Sequence, residues 1–95
     1  MSEYKPQPIN TNDIKLDDDL LKLTEILAKN VHEIWALSRI EEGWSFGRER
    51  NDSLKQHPYI IPYSQLPDSE REYDRNTAMN TLKMMLKLGY KITKK

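Results

Sequence analysis

Between Asp17 and Gly43 the sequence reads as one long helix. Leu20, Leu23, Leu27, Val31, Ile34 and Leu37 recur at helical spacing. Ile26, Trp35 and Ile40 widen that stripe, so the helix is expected to be covered on more than one side. Asp17 is placed to cap its start, because a carboxylate there accepts from free amides of the first turn. Asp18 and Asp19 then sit at the positive end of the helix dipole. Leu16 and Leu21 have the spacing of a hydrophobic staple around the cap. Gly43 is suited to ending the helix, since glycine takes the left-handed conformation at low cost.

A second helix is expected over residues 67–88. Pro67 suits a first helical position, where a missing amide costs nothing. Asp68, Glu70 and Glu72 at its start and Lys83 and Lys87 near its end complement the dipole. Tyr73, Ala78, Leu82, Met85 and Leu86 supply its core face, and Gly89 ends it. Residues 1–15, with Pro6 and Pro8, read as an extended lead-in. Residues 43–66 lack helical periodicity but carry Trp44, Phe46, Tyr59, Ile60, Ile61 and Tyr63, which predicts an ordered connection anchored to the core. Tyr59-Ile60-Ile61 reads as a short strand that Pro58 and Pro62 confine to an edge, and Tyr90-Lys91-Ile92 as a short extended tail. The expected fold is mainly α: antiparallel helices near residues 17–42 and 67–88, a long ordered connecting loop and short β segments. Residues 1–95 form one domain, with frayed ends at 1–3 and 93–95. Trp35, Trp44, Tyr73 and Tyr90 are expected in the core. There is also an internal echo. Lys29-Asn30 precedes Gly43-Trp44 as Arg75-Asn76 precedes Gly89-Tyr90, both offset by 46 residues.

Fifteen basic residues balance fifteen acidic ones, which argues against a general nucleic-acid binder. A stacking surface of Trp35, Trp44 and the tyrosines with Arg48, Arg50 and Lys55 is the nucleic-acid alternative, but a thin core has prior need of those aromatics. The chain has no cysteine, hence no disulfide and no thiolate metal site. No apolar run approaches a membrane span, and the amino terminus lacks an apolar signal core, so the chain reads as cytoplasmic. Without such a signal, the sequon Asn51-Asp52-Ser53 is a chance match.

No catalytic residue, cofactor site or metal site is expected. His32-Glu33-Ile34-Trp35-Ala36 starts like a zinc-protease helix, but Ala36 replaces the second histidine. His32 reads instead as a partly buried, hydrogen-bonded ring. No glycine-rich phosphate loop and no signature of an activated serine is present. Arg48, Arg50, Asp52, Lys55 and His57 cluster in the loop. Arg50 and Asp52 read as a structural pair, while Arg48, Lys55 and His57 make a candidate interaction surface for an acidic partner.

Taken in order, several runs resemble the RyR domain, the repeat of the cytoplasmic shell of ryanodine receptors that also occurs in short bacterial and phage proteins. They are Asn30-x-His32-x-x-Trp35-Ala36 with Arg39, Gly43-Trp44-x-Phe46-Gly47, Arg50-x-Asp52-x-x-Lys55-x-His57-Pro58, and Ile61-Pro62-Tyr63-x-x-Leu66-Pro67. The set closes with Tyr73-Asp74-Arg75-x-Thr77-Ala78-x-x-Thr81-Leu82-Lys83 and Leu88-Gly89-Tyr90. The likeness covers roughly residues 4 to 92, departing at Asn10-Thr11-Asn12, where Asp-Thr-Ser is common, and at Leu16-Asp17, where Leu-Pro is common. The resemblance implies an α-rich fold and a non-catalytic interaction or regulatory module. It carries no channel activity, because a pore needs transmembrane elements. Tandem pairing of such repeats implies a protein partner or self-association, with a two-fold homodimer expected. The alternative is a small-ligand or nucleotide sensor, with a ring held between aromatic-rich halves.

Overall fold

The computed structural model describes residues 3–95; of the ends expected to fray, Met1 and Ser2 lie outside the described residues. Two helices dominate, α1 (Asp18–Glu41) and α2 (Asp68–Lys87). Between them lie β1 (Ser45–Phe46), β2 (Gln56–His57) and a 3-10 turn, Tyr63–Gln65. The helices run antiparallel. Leu20 of α1 packs with Leu82 of α2, Glu25 pairs with Arg75, and His32 faces a cleft shared with Glu70 and Asp74.

Both helices start and stop for local reasons. Asp17 Oδ1 accepts from the Leu20 amide at 2.9 Å, which satisfies one free donor of the first turn. Pro67 sits one position outside α2, and its carbonyl accepts from the Glu70 and Arg71 amides. At the other ends, Gly43 and Gly89 adopt φ 94° and 95°. The Gly43 amide donates to Ile40 O and the Trp44 amide to Arg39 O; Gly89 and Tyr90 repeat both bonds to Leu86 O and Met85 O. The glycine–aromatic half of the echo spaced by 46 residues is therefore two copies of one helix-ending turn.

The connection is ordered, but its strands fall elsewhere than expected. β1 and β2 pair in parallel, Ser45 with Gln56 and Phe46 with His57. Tyr59-Ile60-Ile61 forms no strand, since Pro58 and Pro62 bracket it and interrupt any ladder. Residues 90–92 carry no regular structure either.

Two apolar clusters make the core. Leu16, Leu20 and Leu82 gather Leu23, Leu27, Met79, Leu86 and Ile92. Ala28, Tyr63 and Leu66 gather Tyr59 and Ile61. Several residues expected inside lie outside. The buried line of α1 is Leu20, Thr24, Ala28 and His32, while Val31, Ile34 and Leu37 are exposed. Tyr73 and Tyr90, expected in the core, are 69% and 67% exposed. At 3.6 residues per turn, Tyr73 projects away from the buried Ala78 and Leu82. The turn at Gly89 carries the chain past Tyr90 and brings Ile92 onto the first cluster instead. Trp35 and Trp44, by contrast, are mostly covered, though neither is fully buried. The lead-in is fastened to α2: Lys87 Nζ donates to Asn10 O at 2.7 Å and to Asp13 Oδ1 at 3.2 Å.

Candidate functional site

The middle of α1 and the connecting loop build an aromatic cluster. His32 and Trp35 stand one turn apart on α1, and their rings stack at 5.7 Å. His57, carried in by β2, meets Trp35 edge-on at 5.0 Å and lies 5.5 Å from the Tyr59 ring. The Arg39 guanidinium sits 5.0 Å from the Trp44 ring centre and 5.8 Å from that of Trp35, a cation held over both indoles. This stack covers part of each tryptophan: Arg39 lies over both indoles, and the His57 ring stands roughly perpendicular to both.

Hydrogen bonds fix the two imidazoles. His32 Nε2 donates to Ile61 O at 2.7 Å, tying α1 to the loop. His57 Nδ1 accepts from the Tyr59 amide at 3.0 Å, which requires an unprotonated nitrogen there. Burial, with Arg50 and Arg39 nearby, pushes the His57 pKa below its usual range, so the ring is held neutral.

The cluster opens into a cleft of about 290 Å³ lined by His32, Trp35, His57, Tyr59, Leu66, Glu70 and Asp74. Glu70 and Asp74 stand one turn apart on α2, and neither has an ion-pair partner among the described residues. Burial pushes the Asp74 pKa up, so its carboxylate is short of solvation. Aromatic faces beside under-solvated carboxylates are complementary to a planar or compact cation. Among the described residues no cluster of three or more His, Asp or Glu could hold a metal ion.

The loop residues singled out in the sequence go to different places. Arg50 Nε donates to Asp52 Oδ1 at 2.9 Å on the open surface. Lys55 adopts φ 53°, and Lys55 Nζ donates to Glu42 O at 2.9 Å, where a cation complements the end of α1. His57 faces the cleft, and Arg48 lies beside Glu49, Arg50, Asn51 and Gln56. Arg48, Lys55 and His57 therefore have three different surroundings. Lys55 is committed to the helix end, and strand pairing turns His57 inward. Sequence reasoning missed Arg39, Tyr59, Glu70 and Asp74. A signal existed for the last two, since like charges four apart on a helix repel and need a reason.

Beside the cleft, Arg75 ties the helices together, with Nε on Glu25 Oε2 at 2.6 Å and Nη1 on Glu72 Oε2 at 3.2 Å. The Arg75 bond holds the Glu25 carboxyl below the usual range. Burial, then the Glu25 carboxylate, pushes the Tyr63 hydroxyl up.

A small, mainly α module with an aromatic–carboxylate cleft and an ordered interhelical loop is the class this geometry defines. The RyR domain family model matches residues 4–94, essentially the whole chain, and the chain belongs to that family. Among the described residues no helix is long and apolar enough to cross a membrane.

Proposed function

We propose that this chain is a cytoplasmic, non-catalytic protein-interaction and regulatory module whose cleft receives a basic side chain of a partner protein. The observation that carries this is the unpaired Glu70 and Asp74 beside the Trp35 and Tyr59 rings. An arriving guanidinium stacks on the aromatics and relieves the Asp74 carboxylate of its desolvation. The neutral His57 adds no repulsion against a cation. The interface is a protein surface rather than nucleic acid, because acidic groups at a binding site repel phosphates.

The test is a titration with an arginine-bearing peptide and its citrulline counterpart, read by the Trp35 indole resonance. The arginine peptide shifts Trp35, citrulline does not, and Asp74→Asn abolishes the response. Equal shifts from both peptides, or full response in Asp74→Asn, sink the proposal. A second reading is a small-ligand or nucleotide sensor. The cleft volume of about 290 Å³ supports it, being close to the roughly 300 Å³ lower end of ligand pockets. Thermal-shift screening separates the two: a heterocycle at about one hundred times its Kd adds about 2.7 kcal/mol.

A further inference from the structure

The cleft offers more acceptors than one basic side chain satisfies. Glu70 and Asp74 bring two carboxylates to it, and no lysine or arginine stands among the described residues that line it. A third acceptor comes from α1. His32 lines the cleft and is only 5% exposed. Its Nε2 donates to Ile61 O, so the neutral ring keeps a lone pair on Nδ1, and among the described residues nothing donates to that nitrogen. A buried acceptor without a donor is costly. A single guanidinium brings one charge against two carboxylates, and its planar fork suits one of them. The other is then enclosed without a counter-charge, which is costly in turn.

We propose that the cleft also takes a free linear diamine, which competes there with the partner's basic side chain. This rests on the reading of the cleft as a cation site and names the small cation that completes it. Four residues apart on α2, Glu70 and Asp74 are separated by about 6 Å along the helix axis. The two nitrogens of extended 1,4-diaminobutane are also roughly 6 Å apart by ordinary bond lengths. Each carboxylate therefore receives its own ammonium. An ammonium is a compact charge with three donors and no acceptor. Asp74 and His32 line the same opening from α2 and α1, so the ammonium at Asp74 is placed to donate to His32 Nδ1 as well. The methylenes between the two charges lie along Trp35 and Tyr59, as the stem of a lysine lies along apolar surface. The same rings attract the charged ends.

The experiment titrates the full chain with 1,4-diaminobutane, with n-butylamine and with magnesium chloride at constant ionic strength, read by the Trp35 indole resonance. The diamine binds at least about tenfold more tightly than butylamine, since it makes a second charge-assisted contact. Magnesium, which carries the same charge without the methylenes, gives no response. Glu70→Gln removes the carboxylate that the second ammonium needs, so the two amines then bind alike. Asp74→Asn does the same from the other end, and circular dichroism checks that both variants fold. The diamine also displaces the arginine-bearing peptide. Equal affinity for diamine and butylamine overturns the proposal, as does a magnesium response equal to the diamine's. A preference for the diamine that survives unchanged in Glu70→Gln and Asp74→Asn overturns it too. A peptide that binds where the diamine does not overturns this proposal and leaves the partner-protein reading standing. A diamine that binds with the stated preference where the peptide does not upholds the proposal and sinks that reading.

Discussion

The two sides of α1 share its large apolar residues instead of giving them all to the core. The fully buried line of the inner side is Leu20, Thr24, Ala28 and His32, one long aliphatic followed by small or polar residues, with Leu23, Leu27 and Trp35 partly buried beside it. The outer side is Ile26, Ile34, Leu37 and Ile40, all large and branched. The difference follows from what each side must admit. Tyr63 and Leu66 close over Ala28, which is 0% exposed, and only a methyl leaves room for them. His32 needs a nearby carbonyl rather than apolar cover, and Ile61 O supplies it. The inner side is thus shaped by close approach and by one buried hydrogen bond, whereas the outer side has bulk with nothing in the monomer to bury it. Size alone therefore does not locate the core of a thin domain.

The largest effect expected from this contrast is at Leu20. Leu20→Ala empties a buried position of the first cluster and should cost about 2–5 kcal/mol, read as a lowered denaturant midpoint at constant m-value. If Leu20→Ala and Ile34→Ala destabilise the dilute chain equally, the contrast between the sides is broken. Next comes Ala28→Leu. Overpacking against Tyr63 and Leu66 should cost about 1–3 kcal/mol, although every hydropathy scale counts the change as favourable. A neutral Ala28→Leu would show that the Tyr63 turn moves freely off α1.

Much of the fold was legible because it rests on short-range chemistry. Asp17, Gly43 and Gly89 mark helix ends through their own backbone needs, and those ends appear where the residues place them. The ordered motifs from Asn30 to Tyr90 carried the family, which the match over residues 4–94 shows. The packed side of α1 was legible only in its first half, where Leu20, Leu23 and Leu27 join the first cluster as their spacing predicts. Counting apolar residues favours Val31, Ile34 and Leu37, and a line through Thr24, Ala28 and His32 offers no such signal. Tyr73 misled in the same way, as an apolar ring read without its direction. The cleft was hidden for another reason. Its parts come from α1, β2 and α2, and only folding brings His57 to Trp35 and Asp74 to the same opening. Glu70 had a sufficient local explanation in the helix dipole, which masked its second environment.

A smaller effect should appear with pH, on the inner side alone. The His57 pKa is depressed in the folded chain, mainly by burial. The unfolded ring takes up a proton near pH 6.5, about its ordinary value, while the folded ring still resists it. The His57 contribution is therefore complete above about 6.5 and is lost as pH falls through the folded value. Asp74 has the opposite sign: its raised pKa favours the neutral acid, so its contribution is present at low pH and lost as pH rises through the folded value. Unfolding midpoints between about pH 5 and 8 should fall on acidification in wild type and flatten in His57→Gln. Asp74→Asn should raise the midpoint at neutral pH while it weakens capture of a basic peptide.

The smallest effect expected is the one that defines the outer side. Ile34→Ser removes a large apolar side chain from a helix, a change that costs several kcal/mol in a core. Here the side chain is already in water, so the dilute chain loses little apolar burial and its stability should stay within about ±0.5 kcal/mol of wild type. The comparison has to be made at low concentration, because any dimer adds its own stability by mass action. A loss as large as that of Leu20→Ala would place Ile34 in the monomer core, and the two sides of α1 would then be alike.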